Sequence, residues 1–137
     1  MSHLDTINDL IADWTRRDVD AVVDRVADNI TFYYAAGQAP IIGKASFRKF
    51  LSGMKDQQKD LDWRIKRSAE TDDFIMTEGV DDYINAAGHH VQTPHMTIFE
   101  FTDGKISGWR DYFNFGLLMR TEKGEPLSEH ALSLINL

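Results

Sequence analysis

The sequence predicts an α+β fold on three observations. Apolar residues recur at helical spacing in the N-terminal part of the chain, from Leu4 to Trp14 and again from Lys44 to about Gln57. From Leu61 onward the period shortens to two, the pattern of half-buried strands. Turn signals at Asp72-Asp73, Ala87-Gly88 and Asp103-Gly104 then divide the remainder into successive long strands. Helices that precede strands, instead of alternating with them, pack on one face of a curved antiparallel sheet, and the concave face beneath them becomes the natural pocket.

Each element follows from local chemistry. Leu4, Ile7, Leu10, Ile11 and Trp14 line one side of a first helix. After Arg16-Arg17, Asp18 is placed to cap a second helix that turns Val22, Val23 and Val26 inward. The run Ile30-Thr31-Phe32-Tyr33-Tyr34 is strand-like until Gly37-Gln38-Ala39-Pro40 breaks it. A third helix, Lys44 to about Gln57, carries Phe47, Phe50, Leu51 and Met54. In the next strand Leu61, Trp63 and Ile65 alternate with Asp62, Arg64 and Lys66, giving one buried and one wet face. Three further strands complete an antiparallel meander: Phe74 to Ala86, a segment around His95 to Phe101, and Lys105 to Phe113. The polar stretch from Glu122 to Pro126 reads as a mobile tail before Leu132 to Leu137 supply apolar anchors.

Composition narrows the function. With 137 residues and 42% apolar content, the expectation is a single domain over 1–137, able to bury roughly two-thirds of its unfolded surface without metal or disulfide staples. The 15 basic and 22 acidic residues leave a net charge of -7, which excludes phosphate-backbone binding as the main activity, so no nucleic-acid partner is expected. The absence of cysteine removes a disulfide framework, a thiolate nucleophile and a cysteine metal site. The start, Met1-Ser2-His3-Leu4-Asp5, shows no basic stretch followed by an apolar run, and no later stretch reaches membrane-spanning length. A cytoplasmic location without a membrane partner is the expectation.

Chemistry is expected where polar side chains enter apolar faces. In the last strand, alternation puts Trp109, Asp111 and Phe113 on one face, and a carboxylate between two large rings is costly to bury unless it is paired or used. Asp111 is therefore a catalytic acid or a structural carboxylate that satisfies buried donors. From Phe74 to Ala86, the even positions Phe74, Met76, Val80 and Ile84 are more apolar than the odd positions Thr77, Gly79, Asp81, Tyr83 and Asn85. Read plainly, this parity sends Asp81 to solvent, unless a bulge at Gly79 shifts it. His95, Thr97, Phe99 and Phe101 share a face of the following strand, which makes His95 a polar insertion in a cavity wall or a hydrogen-bonded core histidine. His89-His90 with His95 lacks metal-ligand spacing, so neither a metal nor another cofactor is expected. Glycine-rich nucleotide loops and a Gly-x-Ser-x-Gly elbow are absent.

Three stretches carry a family resemblance: Pro40-Ile41-Ile42-Gly43-Lys44 before the third helix, Thr77-Glu78-Gly79-Val80-Asp81, and Thr102-Asp103-Gly104-Lys105-Ile106 leading to Trp109-Arg110-Asp111-Tyr112-Phe113. With the order of the elements, they resemble the nuclear transport factor 2-like superfamily, nearest its SnoaL-like and limonene-epoxide-hydrolase-like branch. The resemblance runs from the first helix to Phe113. It implies a cone-shaped, strongly bent antiparallel sheet with N-terminal helices closing a central pocket, and a homodimer joined through the outer sheet face. It also turns Asp81 into the pocket to face Asp111, against the plain parity reading. In the epoxide hydrolases one such acid protonates the epoxide oxygen, while the other activates water with a tyrosine and an asparagine. The tyrosine matches Tyr33, the asparagine falls on Ala35, and the arginine that bridges the two carboxylates falls on Gly79. With two of the five polar members absent, epoxide hydrolysis proper is not the expected reaction.

Two carboxylates close together in a dry pocket, with no bridging cation, share one proton near neutrality, so a proton donor and an acceptor coexist. That combination serves cofactor-independent isomerisation, hydrolysis, dehydration or cyclisation of a small hydrophobic molecule. Asp81, Asp111, Tyr33 and His95 are the candidate catalytic residues, with Tyr33, Tyr83 or a neutral His95 able to donate to a developing oxyanion. Trp14, Phe47, Met54, Trp63, Tyr83, Phe99 and Trp109 are the candidate substrate-binding walls or the core around them. A non-catalytic small-molecule-binding or accessory module of the same fold is the other function that fits.

Overall fold

Ser2 fixes where the first helix begins. Its hydroxyl accepts the Asp5 backbone N–H at 3.1 Å, and the Asp5 carboxylate accepts the Ser2 N–H at 3.2 Å, a reciprocal capping box. The computed structural model describes residues 2–137. From this cap it runs α1 (His3–Thr15), α2 (Val19–Asp24), β1 (Val26–Tyr33), β2 (Ile41–Ile42), α3 (Lys44–Met54), β3 (Lys59–Glu70), β4 (Phe74–Ile84), β5 (His90–Thr102), β6 (Lys105–Tyr112), α4 (Phe115–Glu122) and α5 (Glu129–Ile135). The expected Asp18 cap is present, with its carboxylate accepting the Ala21 N–H at 3.1 Å. Asp13 of α1 is buried, and Arg16 and Arg25 neutralise it at 2.6 Å each, which ties α1 to the far end of α2.

The strands form one six-stranded sheet in the order β2-β1-β6-β5-β4-β3. Strands β3 to β6 make the expected antiparallel meander. The pairing of β1 with β6 is parallel, a departure from an all-antiparallel sheet. It arises because β1, besides its short antiparallel partner β2, pairs on its other edge with the last strand, and the chain between β1 and β6 forms α3 and the rest of the meander. Register shifts in the β3/β4, β5/β6 and β1/β6 ladders bend this sheet into the cone, which α1, α2 and α3 close.

Parity along β4 is the reverse of the plain reading. Ile75, Thr77, Gly79 and Tyr83 are buried, whereas Met76 is 43% exposed. The odd positions therefore face the concavity, as the resemblance implied. The β4/β5 register runs without a break from Phe74↔Glu100 to Ile84↔His90, so Gly79 carries no bulge; the shift lies across the ladder in β3, between Ile65 and Arg67. On the outer face Met76, Met96 and Tyr112 stay exposed, while α5 packs against β5 and Lys66 Nζ donates to the Leu134 carbonyl at 2.6 Å.

The segment expected to be a mobile tail contains the C-terminal end of α4. Asn114 caps that helix by accepting the Leu117 N–H at 2.9 Å. At its far end the Glu122 carbonyl accepts from Asn85 Nδ2 at 2.8 Å. The core proper is a cluster of α1–α3 and inward strand residues, with Ile7, Leu10, Phe47, Ile75 and Phe99 completely buried.

Gly79 is needed for space. A Cβ there would collide with the Arg64 carbonyl oxygen of β3 and lie 3.0 Å from His95 Cε1. Gly79→Ala is expected to destabilise the fold by about 1–3 kcal/mol. Gly53→Ala, on the open face of α3, should instead stabilise it by roughly 0.5–1 kcal/mol. Urea unfolding of the two variants checks both signs, and a neutral Gly79→Ala would show that β3 does not press on β4 as described.

Candidate active site

Inward-facing cross-strand rows order the interior of the cone. One row, Ile75↔Phe99↔Trp109↔Phe32, is wholly apolar. The next is Thr77↔Thr97↔Asp111, then Gly79↔His95, then Trp63↔Asp81↔Thr93. A polar seam thus crosses the sheet diagonally from Asp111 to Asp81, one inward position per step.

The seam is continuous in hydrogen bonds. Thr97 Oγ1 donates to Asp111 Oδ1 at 2.8 Å, and Trp109 Nε1 donates to the same oxygen at 3.1 Å. Thr97 Oγ1 also lies 3.4 Å from His95 Nδ1, and His95 Nε2 lies 3.2 Å from Asp81 Oδ1. The two carboxylates therefore communicate through an imidazole and a hydroxyl, which corrects the expectation of a pair without a cation between them. His95 stands beside Gly79, the position onto which the bridging arginine falls, and its side chain is only 5% exposed.

These surroundings set the protonation of the seam. Burial pushes the Asp111 carboxyl up to about 6, and the Asp81 charge adds to it; the bonds from Thr97 and Trp109 and the nearby His95 pull the other way. For His95 burial disfavours the cation, but Asp81, by charge and by hydrogen bond, together with Asp111, outweighs burial and raises its pKa above the usual value. Asp111 thus exchanges its proton much closer to neutral pH than an ordinary carboxyl does, and His95 holds its proton more tightly than a free imidazole.

Above the seam lies a cavity of about 330 Å³. Its walls come from α1 (Leu10, Trp14), β1 (Phe32, Tyr34), α3 (Phe50, Leu51, Met54), β3 (Leu61, Trp63), β6 (Trp109) and α4 (Phe115, Leu118, Met119). Asp81, His95 and Asp111 line it, as do Gln58, Tyr83, Thr93 and Glu122. Trp109 anchors the aromatic wall, with ring centroids of Phe32 at 4.7 Å, Phe99 at 4.9 Å and Trp63 at 6.0 Å.

Of the candidate catalytic residues, Asp81, His95 and Asp111 come together and Tyr33 does not. Tyr33 pairs with Arg110 in the β1/β6 ladder, one position past the inward pair Phe32↔Trp109, so it takes the outward parity. Its neighbour Tyr34 lines the cavity instead. Among the candidate walls, Trp14, Met54, Trp63, Tyr83 and Trp109 line the cavity, whereas Phe47 and Phe99 sit behind it as fully buried core. The Tyr83 hydroxyl is already committed: it donates to Glu122 Oε1 at 3.1 Å, and burial, followed by the Glu122 charge, holds its pKa above the usual value. Gln58 also bonds to Tyr83 and accepts from Trp14 Nε1 at 2.8 Å, so these side chains brace the lid and are not free to hold a substrate oxyanion. Sequence reasoning missed Thr97 as a link and α4 as a wall. His90 Nε2 lies 2.6 Å from Asp82 Oδ1, and among the described residues no group of three or more histidines and carboxylates is placed to hold a metal ion.

A family model for the SnoaL-like domain matches residues 7–109, and the chain belongs to that family. No curated protein matches. Solved structures share the fold. An LEH-like epoxide hydrolase from M. tuberculosis is 26% identical, with 84% of this chain and 87% of that one covered at a TM-score of 0.71. An NTF2-like protein of unknown function from Burkholderia pseudomallei K96243 is 15% identical, with 88% and 98% covered at 0.78. SalBIII, an epoxide hydrolase/cyclase-like enzyme of pyran ring formation in salinomycin, is 17% identical, with 85% and 96% covered at 0.69. Among the described residues no helix is long and apolar enough to cross a membrane.

The raised Asp111 value has a consequence for stability. A carboxyl that ionises near 3.8 unfolded and about 6 folded favours the native state fully at low pH, and that contribution is lost as pH rises through 6. His95 acts in the same direction at higher pH: its contribution is complete below about 6.5 and fades as pH rises through its raised value. Asp111→Asn keeps an oxygen for Thr97 and Trp109 but cannot ionise. It should match the wild type near pH 4 and exceed it above about pH 7 by on the order of 1–3 kcal/mol. Chemical unfolding at the two pH values tests this, and a difference that does not grow with pH would contradict it.

Proposed function

We propose that this protein is a cofactor-independent acid–base enzyme that acts on a small hydrophobic substrate, as an isomerase, hydrolase, dehydratase or cyclase. The observation that carries the reading is the Asp81–His95–Thr97–Asp111 seam on the floor of a largely apolar cavity. A half-buried carboxyl with a raised pKa, bonded to a buried imidazole through a hydroxyl, is hard to account for unless its proton is used. Asp111 takes or gives the proton at the reacting carbon or oxygen. Asp81, paired with His95, supports the charge that develops at the other end of the substrate. Neighbours that include an epoxide hydrolase and an epoxide hydrolase/cyclase-like enzyme support this class of chemistry. Epoxide hydrolysis itself stays the lesser reading, because Ala35 and Gly79 stand where an asparagine and an arginine would be needed.

The test is a screen of epoxides, enones and cyclic ketones at neutral pH with wild type, Asp81→Asn and Asp111→Asn. Turnover should fall by about 10²–10⁴-fold in Asp111→Asn while ligand affinity changes little. Conversion that survives both substitutions would remove the seam from the mechanism. Saturable binding without conversion of any probe would favour the binding-module reading.

The same proposal includes a homodimer through the outer sheet face, supported by exposed Met76, Met96 and Tyr112 on that face. Light scattering should report a dimer for the wild type and a monomer for Met76→Lys/Met96→Lys. A monomeric wild type would overturn this part.

A further inference from the structure

The hydroxyl of Thr97 stands between an imidazole nitrogen and a carboxylate oxygen, and the reaction as proposed gives it no task. It is 2% exposed, sits one inward position from His95, and occupies the same cross-strand row as Asp111. A hydroxyl both donates and accepts, so it can pass a proton along without holding a charge. Here one partner is a carboxylate oxygen at 2.8 Å and the other an imidazole nitrogen at 3.4 Å. A threonine that merely satisfied a buried carboxylate would not need the second contact.

We propose that Thr97 is a relay through which one proton moves between His95 Nδ1 and Asp111 Oδ1. In the first arrangement both imidazole nitrogens carry hydrogen: Nε2–H donates to Asp81, Nδ1–H donates to Thr97 Oγ1, and the Thr97 hydroxyl donates to the Asp111 carboxylate. In the second, the Nδ1–H bond breaks as a new O–H bond forms on Thr97. The original hydroxyl proton at the same time bonds to Asp111 Oδ1. An imidazolium and a carboxylate become a neutral imidazole and a neutral carboxylic acid, the hydrogen count is unchanged, and Asp81 keeps its Nε2–H bond throughout. The 3.4 Å contact is the longest in the chain and must shorten for transfer.

Within the cone the charged groups facing His95 are Asp81 from β4 and Asp111 from β6; it also borders a second, outer cavity lined by Lys66 of β3, Glu78 of β4, Arg120 of α4 and His130 of α5. From β3 it meets only the ring of Trp63, edge-on at 6.4 Å. Tyr83 and Glu122 line the cavity further toward α4 and bond to each other. Thr97 is the one hydroxyl bonded to both His95 and Asp111. Its role in turnover rests on the acid–base reading above, since it allows Asp111 to be reloaded from His95 between cycles.

The readout is made on the unliganded protein and needs no substrate. Imidazole ¹⁵N and carboxyl ¹³C resonances are followed against pH in wild type, Thr97→Ser and Thr97→Val. In wild type and Thr97→Ser, between the two titration steps of the pair, His95 Nδ1 and the Asp111 carboxyl should both lie midway between their protonated and deprotonated limits. In Thr97→Val, which keeps the β-branched shape, each should move to a limit as the proton settles on one group. A wild-type Nδ1 already at a limit overturns the relay, whatever the variants do. A Thr97→Val protein with the wild-type midway signals overturns it too. Midway signals in a protein that turns over nothing would sink the acid–base reading alone, and turnover with signals at their limits would sink only the relay.

Discussion

The site depends on an approach between two strands that only a glycine permits. At position 79 the β3 backbone comes so close that a methyl group would strike the Arg64 carbonyl, and the imidazole of His95 takes the remaining space. The inserted residue of β3 opposite this point bends the ladder and lets Trp63 and Asp81 share an inward row. A side chain at 79 would displace the strand, the imidazole, or both. The link between Asp81 and Asp111 would break with either.

Enclosure then gives the seam its chemistry. Asp111 accepts from two donors, both on Oδ1, and lies away from bulk water, so its ionised form gains less here than in water. Three N-terminal helices and α4 complete that enclosure from different directions. The lid is braced by side chains that themselves line the cavity: Trp14 to Gln58, Gln58 to Tyr83, and Tyr83 to Glu122.

Much of the fold was legible because local and global signals agree over long stretches. The Asp18 cap, the helical spacing from Leu4 to Trp14, and the three turn signals each fall where an element begins or ends. Parity on β4 misled because its outer face is also partly buried: Val80 is fully covered although it faces away from the cavity, so counting apolar residues picked the wrong side. Tyr33 was misplaced by one position for a related reason, since Tyr33 and Tyr34 are adjacent aromatics and only the pairing of Phe32 with Trp109 decides which points inward. Helix α4 had a readable signal in Asn114 followed by Phe115, Leu118 and Met119, obscured by Gly116 in its first turn and the polar run after it. The link through Thr97 could not be read from one strand, because it needs the register of two.

Replacing an arginine bridge with histidine changes the kind of device the site is. A guanidinium stays charged at any physiological pH, so carboxylates on either side of it keep a fixed compensating charge and need only exchange protons with substrate or water. An imidazolium in the same place can itself lose a proton, and the charge it leaves behind changes what its neighbours can hold. Here that loss is favoured by burial and opposed by Asp81 and Asp111, and the two carboxylates outweigh burial. Under the proposed acid–base reading, the carboxylate at 111 is not set independently of the ring, and the two would act as one coupled unit rather than as two acids with a spectator between them.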